Sequence, residues 1–230
     1  MKKFIATLFI SLLFITNANS ACDDPPGDGV DYSGCAFSDG QDLTGTYLPN
    51  ANLSFTGFIK VIFDKSIMMN STLANGNYPE SSFVRANLYE TNFEGGNFEK
   101  TNFTSSNLTR ANFKAASLIE ANFNNANLFE ADFTGANILN ANFEGANLYE
   151  TNFEGGNFEK TNFSSANLTR ANFKAASLIE ANFTNANLFE ADFTGANILN
   201  ANFEGANLNN ATWVDGKKCS LGSIGVCKIN

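Results

Sequence analysis

The sequence predicts a solenoid in which four short segments make one coil and each coil lies on the last. Three observations predict it. From Ala51 to Asp215 the chain divides into 33 five-residue units without an insertion, among them "ANLYE", "TNFEG", "ANFKA" and "ADFTG". Read at steps of twenty, Phe63, Phe83, Phe103, Phe123, Phe143, Phe163, Phe183 and Phe203 form an unbroken series. Residues Ala86 to Gly145 return as Ala146 to Gly205, altered only at Thr104/Ser164, Ser106/Ala166 and Asn124/Thr184. Self-similarity at a fixed period is the mark of a repeat architecture, whose units bury a core only by stacking.

Taken in chain order, residues 1–20 have the features of a secretory signal. Lys2 and Lys3 open it, "FIATLFISLLFI" is a short apolar run, and Ala18 and Ser20 are small residues before an expected cut at Ala21. The run is short for a membrane span, and no other stretch approaches one, so the mature chain is expected to carry no transmembrane segment. Residues 21–40 are expected to form a cap segment. Six aspartates crowd the stretch from Asp23 to Asp42. They lack the ligand spacing of an EF-hand and read as solvated or capping groups.

Four cysteines lie in two close pairs, Cys22 with Cys35 and Cys219 with Cys227. An even number in an exported chain reads as disulfides. Pairing within each end is expected, because the ends of a long array lie far apart. A lipidated Cys22 is the rival reading, but "NSAC" lacks the usual aliphatic residue and acylation would leave Cys35 unpaired. Neither pair has C-x-x-C spacing and the chain has no histidine, so a metal site is not expected.

The array spans residues 41–215, with the looser units "QDLTG" and "TYLPN" at its start. A helix places apolar residues three and four apart and a strand places them two apart. A strict period of five, with a small residue first and Leu or Phe third, needs a chain that points inward twice per unit and corners regularly. The third positions fall into four columns. Beside the Phe63 series run the leucines from Leu88 to Leu208, the phenylalanines from Phe93 to Phe193 ending at Trp213, and a mixed column of Phe58, Tyr78, Phe98, Leu118 and Ile138. Twenty residues therefore make one coil. The duplicated sixty are three whole coils, so the copy leaves every side chain on its original side. At a spacing of about 4.8 Å per coil the rod should be roughly 40 Å long. Second-position asparagines such as Asn87, Asn92 and Asn97 are expected at the corners, where short amides bond nearby backbone and tolerate unusual dihedrals. Residues 216–230 are expected to form the second cap.

The units resemble the pentapeptide-repeat family, whose signature is A-[DN]-L-x-x, over roughly Gln41 to Asp215. The end segments "PPGDGVDYSGC" and "ATWVDGKKCSLGSIGVC" are similar to those of exported bacterial members. The resemblance implies an all-β fold, a right-handed quadrilateral parallel β-helix of about nine coils with disulfide-linked ends.

Fourth and fifth positions should face solvent with charges paired along the axis: Glu80–Lys100–Glu120, Glu90–Arg110–Glu130, Glu150–Arg170–Glu190, Lys160–Glu180, Glu94–Lys114 and Glu154–Lys174. Alternating signs on neighbouring strands favour such pairing modestly. Two apolar stripes stand out. One contains Tyr89, Phe129, Tyr149 and Phe189, spaced by Thr109 and Thr169; the other contains Ile119, Leu139, Ile179 and Leu199. Aligned exposed apolar residues are candidates for a partner or self-association surface.

Composition narrows the function. The net charge is −9, and loss of Lys2 and Lys3 takes it to about −11, without a basic patch, so direct nucleic-acid binding is disfavoured. No histidine, no unpaired thiol and no phosphate loop are expected, and most surface carboxylates have a cation nearby, so catalysis and cofactors are not expected. A non-catalytic rod in the periplasm or outside the cell, presented to a protein or envelope component, is the favoured reading. The alternative is an acidic rod that mimics DNA and engages a topoisomerase, as the resemblance implies for some cytoplasmic members.

Overall fold

The computed structural model describes residues 20–229. The expected signal segment lies almost wholly outside them. After a 3-10 turn over Ser20–Asp23, the chain forms a four-sided parallel β-helix. Its ladders join residues twenty apart, from Asp42↔Ile62 to Asp192↔Thr212. Two earlier bridges, Asp31↔Asn52 and Ala36↔Gly57, are offset by twenty-one. One extra residue before Asp42 absorbs the difference, so the winding reaches back into the segment expected to cap it.

The β structure among the described residues consists of isolated bridges, one per unit. The unit's chemistry explains this. Its first three residues are extended, so the first and third side chains point inward and the second points out. The fourth and fifth residues then turn the chain. In the turn from Phe83 to Ala86, the Ala86 amide donates to the Phe83 carbonyl at 3.1 Å, and Arg85 has φ of +58°. A positive φ at the third turn residue is the mark of a type II turn. With two residues of five spent on the corner, no side grows into a longer strand.

Every fifth residue from Asn50 to Asn210 has positive φ, and the non-glycine ones lie between 54° and 59°. They include Lys100, Glu120 and Ala115 as well as asparagine. This corrects the expectation for the second-position asparagines. They do bond nearby backbone, but the left-handed dihedral falls three residues later. The Asn92 Oδ1 accepts the Glu94 amide at 3.1 Å, which steadies the turn. The same oxygen accepts the Asn112 Nδ2 at 3.0 Å from the next coil. An asparagine that makes both bonds, as Asn92 does, ties its own corner and links two coils.

The backbone carries three bonds per unit between coils. The Phe83 amide donates to the Asn102 carbonyl at 2.7 Å, the Arg85 amide to Thr104 at 3.0 Å, and the Asn102 amide back to the Ser81 carbonyl at 2.8 Å. This redundancy holds dihedrals that a free L-residue avoids at a cost of about 1–3 kcal/mol.

The interior is filled by like stacked on like. Phe123 lies 4.9 Å from Phe103 and 4.6 Å from Phe143, with the rings within 5° of parallel. The second phenylalanine column meets the first edge to face, Phe113 and Phe133 lying 5.7 and 5.8 Å from Phe123. Both arrangements suit the aromatic quadrupole. First-position threonines satisfy their hydroxyls on backbone carbonyls, Thr101 on that of Tyr78 in the coil below at 2.9 Å and Thr46 on that of Leu43 in its own coil at 2.8 Å.

Disulfides join Cys22 to Cys35 and Cys219 to Cys227. At the C-terminal end the chain reverses and pairs antiparallel on two sides of the last coil, through Asn207↔Ile224 and Thr212↔Lys218.

Candidate interaction surfaces

With the interior packed, the chemistry open to other molecules lies on the walls and ends. The first apolar stripe comes from fourth positions of one wall. Tyr89, Phe129, Tyr149 and Phe189 are all half-buried. Phe129 and Tyr149 stack at 5.5 Å with their rings 5° apart. The stripe is not free of polar partners. The Arg110 Nη1 donates to the Tyr89 hydroxyl at 3.3 Å, and the Tyr89 hydroxyl donates to Glu90 Oε1 at 2.7 Å. The duplicated Arg170 donates to the Tyr149 hydroxyl at 2.8 Å, and its guanidinium carbon lies 5.8 Å from the centre of that ring.

These arginines are the centres of the two expected triads. Arg110 Nε meets Glu130 Oε2 at 2.7 Å and its Nη1 lies 3.5 Å from Glu90. Arg170 meets Glu190 at 2.8 Å and Glu150 at 3.1 Å. Hydrogen bonding to Glu130 and then to Tyr89 pushes the Arg110 guanidinium up from its ordinary value, and Glu190 followed by Glu150 does so for Arg170. The arginines are exposed to solvent and Glu130 and Glu190 only half-buried, so the triads set register more than they add stability.

Other pairings depart from expectation. Glu80 pairs with Lys60 at 3.3 Å rather than Lys100, and Lys160 with Glu159 at 3.5 Å rather than Glu180. Lys100 does reach Glu120, at 4.0 Å, while also meeting Glu99 at 3.6 Å. Lys114 bonds Asp132 at 3.1 Å and Lys174 bonds Asp192 at 3.2 Å, one coil beyond. Glu94 and Glu154 instead accept the side-chain amides of Asn112 and Asn172 at 3.1 and 3.2 Å. The second-position carboxylate lies deeper than the glutamate, so the cation that reaches it relieves the larger desolvation cost.

Burial works to raise the Asp132 and Asp192 carboxyls. The hydroxyl and amide of Thr134 and Thr194, with the lysine ammonium groups, outweigh it and hold both below the ordinary value. A depressed folded value stabilises the fold above the unfolded pKa, and that contribution is lost as pH falls through the folded one. The double variant Asp132→Asn, Asp192→Asn should therefore lose less melting temperature than the natural chain between about pH 5 and pH 2. Asparagine already occupies this position in most units, so the corner geometry survives. Parallel pH–Tm curves for the two proteins would contradict the assignment.

In the second stripe Ile119, Leu139 and Ile179 are half-buried, whereas Leu199 is 60 % exposed because no further coil covers it. Among the described residues no group of three metal-ligating side chains gathers, and no helix is long and apolar enough to cross a membrane. The arginine–tyrosine contacts and the Lys114–Asp132 reach were missed in the sequence, although Asp132 and Asp192 stand out as the two aspartates in a row of asparagines.

A family model described as "Pentapeptide repeat region" matches residues 106–183, and one described as "Pentapeptide repeats (8 copies)" matches 66–105, 166–205 and 186–212. Together they span 66–212. Solved structures similar to the chain include HetL, a pentapeptide repeat protein involved in heterocyst differentiation regulation in the cyanobacterium Nostoc. It is 22 % identical with a TM-score of 0.46, covering 86 % of this chain and 95 % of its own. QnrB1, a plasmid-mediated fluoroquinolone resistance protein, is 19 % identical with a TM-score of 0.44, covering 71 % and 86 %. A pentapeptide repeat protein of the Arabidopsis thaliana thylakoid lumen is 30 % identical with a TM-score of 0.31, covering 50 % and 66 %. No curated protein matches the chain.

Proposed function

Since the chain belongs to the pentapeptide-repeat family, whose members are in general structural or interaction proteins, we propose that it is a non-catalytic, exported rod of about nine right-handed coils. It presents its walls and ends to a protein or envelope component in the periplasm or outside the cell. The observation that carries this reading is the filled interior. Among the described residues the stacked rings fill the interior of the array, so recognition is left to the outer surface. A disulfide near each end supports export to an oxidising compartment, with residues 1–20 as the signal.

Two measurements test it. Cell fractionation with mass spectrometry of the N-terminus should find the chain outside the cytoplasm, starting at Ala21, with an unmodified Cys22. An intact Met1 on a cytoplasmic chain would overturn export. Recovery of partners on immobilised protein should fall at least about fivefold, the effect of losing about 1 kcal/mol of interface contact, when Phe129→Ser is combined with Tyr149→Ser. Equal recovery would remove the aromatic stripe from the reading. A nucleic-acid mimic needs an unbroken run of negative charge, whereas Arg110 and Arg170 interrupt the carboxylates of that wall.

A further inference from the structure

The two ends of the rod complement each other in three independent ways. The first is backbone hydrogen bonding. Every internal coil receives the next through third-position amides and first-position carbonyls, as Phe183 N–H does on the Asn202 carbonyl at 2.7 Å. The C-terminal reversal covers only the sides of Leu208 and Trp213, where Leu208 N–H meets the Ser223 carbonyl at 2.9 Å and Trp213 N–H meets Lys217 at 2.7 Å. On the other two sides the amides of Ile198 and Phe203 and the carbonyls of Ala196 and Ala201 meet no backbone partner among the described residues. At the opposite end, the second-position amides and carbonyls of Asp42 and Tyr47 are also without backbone partners among the described residues. The same holds for Asp31 and Ala36 on the remaining sides of that end, while the Gly29 amide reaches the Pro49 carbonyl at 2.9 Å beside Tyr47. The second-position carbonyls of the N-terminal coil match the third-position amides left at the C-terminal end, and its second-position amides match the first-position carbonyls there.

The second is apolar surface. The large apolar side chains that stand open to solvent lie near the ends, with none between Ile67 and Leu199 among the described residues. Tyr47 is 55 % exposed at one end and Leu199 60 % at the other, and Leu221 and Val226 on the C-terminal reversal are exposed as well. The third is charge. Asp23, Asp24, Asp28, Asp31, Asp39 and Asp42 crowd the N-terminal end, and no lysine or arginine occurs between residue 21 and Lys60. After Asp215 the chain carries Lys217, Lys218 and Lys228 and no acidic side chain.

We propose that the occupant of the open C-terminal end is the N-terminal end of a second copy of this chain, joined by continuation of the β-helix across the two uncovered sides. Such a contact is heterologous. It uses different surfaces on the two copies and leaves one of each free, so it extends into a linear filament rather than closing as a dimer. An unpaired strand edge is the natural template for this addition. The antiparallel reversal blocks half of the edge and limits the strength of the contact. The stripe of Tyr89, Phe129, Tyr149 and Phe189 stays uncovered in the filament and remains available to other partners, whereas Leu199, the last of the second stripe, enters the contact.

Sedimentation velocity of the oxidised chain should show a mass that climbs with concentration through successive multiples of the monomer, and falls when salt screens the end charges. Leu199→Glu places an acid at the C-terminal edge, and Tyr47→Lys places a base at the N-terminal one. Each variant alone should sediment as a monomer. An equimolar mixture should form a dimer and stop there, because each partner retains one competent end. If either variant melts below the natural chain, Leu221→Glu with Lys228→Glu on the exposed reversal replaces Leu199→Glu, and Asp39→Lys replaces Tyr47→Lys. A natural chain that is monomeric at every concentration would overturn the proposal. So would self-association of either variant, or a mixture that forms no dimer.

Discussion

Phe123→Ala should lower stability by about 3–5 kcal/mol, the range for removing a buried aromatic side chain. The ring is fully buried, held face to face between Phe103 and Phe143 and edge-on to Phe113 and Phe133. Its removal ends the contact on all four sides. The coils cannot close over the gap, because three backbone bonds per unit fix their spacing on every side. Chemical denaturation of the two proteins measures the difference. Because each coil contacts only its neighbours, the loss should also appear as a split transition with an unfolding boundary at the altered coil. A loss under about 1 kcal/mol would mean that the column is not the source of stability its packing implies.

Gly156→Ala should cost roughly 1–3 kcal/mol through overpacking. A Cβ there would stand 2.6 Å from Phe158 Cε2, 3.0 Å from its Cζ and 3.1 Å from the Ala136 carbonyl oxygen. The Phe158 ring has little room to withdraw, since Phe153 lies edge-on at 5.0 Å and Phe163 lies tilted at 6.0 Å. The same conflict stands at Gly76 with Tyr78 and at Gly96 with Phe98. Where this column carries Leu118, Ile138 or Leu178, alanine precedes it. At Tyr78, Phe98 and Phe158 the glycine is therefore the complement of the ring, whereas Phe58 at the start of the column stands with Thr56. Adding Phe158→Leu to Gly156→Ala recreates the natural Ala176–Leu178 pair and should recover most of the lost stability. A double variant no more stable than Gly156→Ala alone would contradict this coupling.

The candidate surfaces were legible only in part. Residues twenty apart are vertical neighbours, so the triads centred on Arg110 and Arg170 and the alignment of Phe129 with Tyr149 follow from counting. Lys114 did not obey the count. A flexible side chain chooses among acceptors within reach, and the deeper Asp132 outcompeted Glu94, which already had an amide donor. The expected exposure of the second stripe held only for Leu199, because a fourth-position side chain is shielded by the coil above wherever one exists.

The amino-acid order alone determined the period, the inward positions, the columns of like side chains and the neutrality of the sixty-residue copy. Those features recur in nearly every unit, and one physical requirement, burial of the first and third residues, generates them all. Three things were decided only in the folded chain. The positive φ settled on the fifth residue whatever its type, because bonds between coils override local preference there. The choice among acceptors for the lysines depended on reach and desolvation rather than spacing. The half-open C-terminal end depended on where in its turn the last coil gives way to the reversal, a matter of chain phase around the four sides that no single unit encodes.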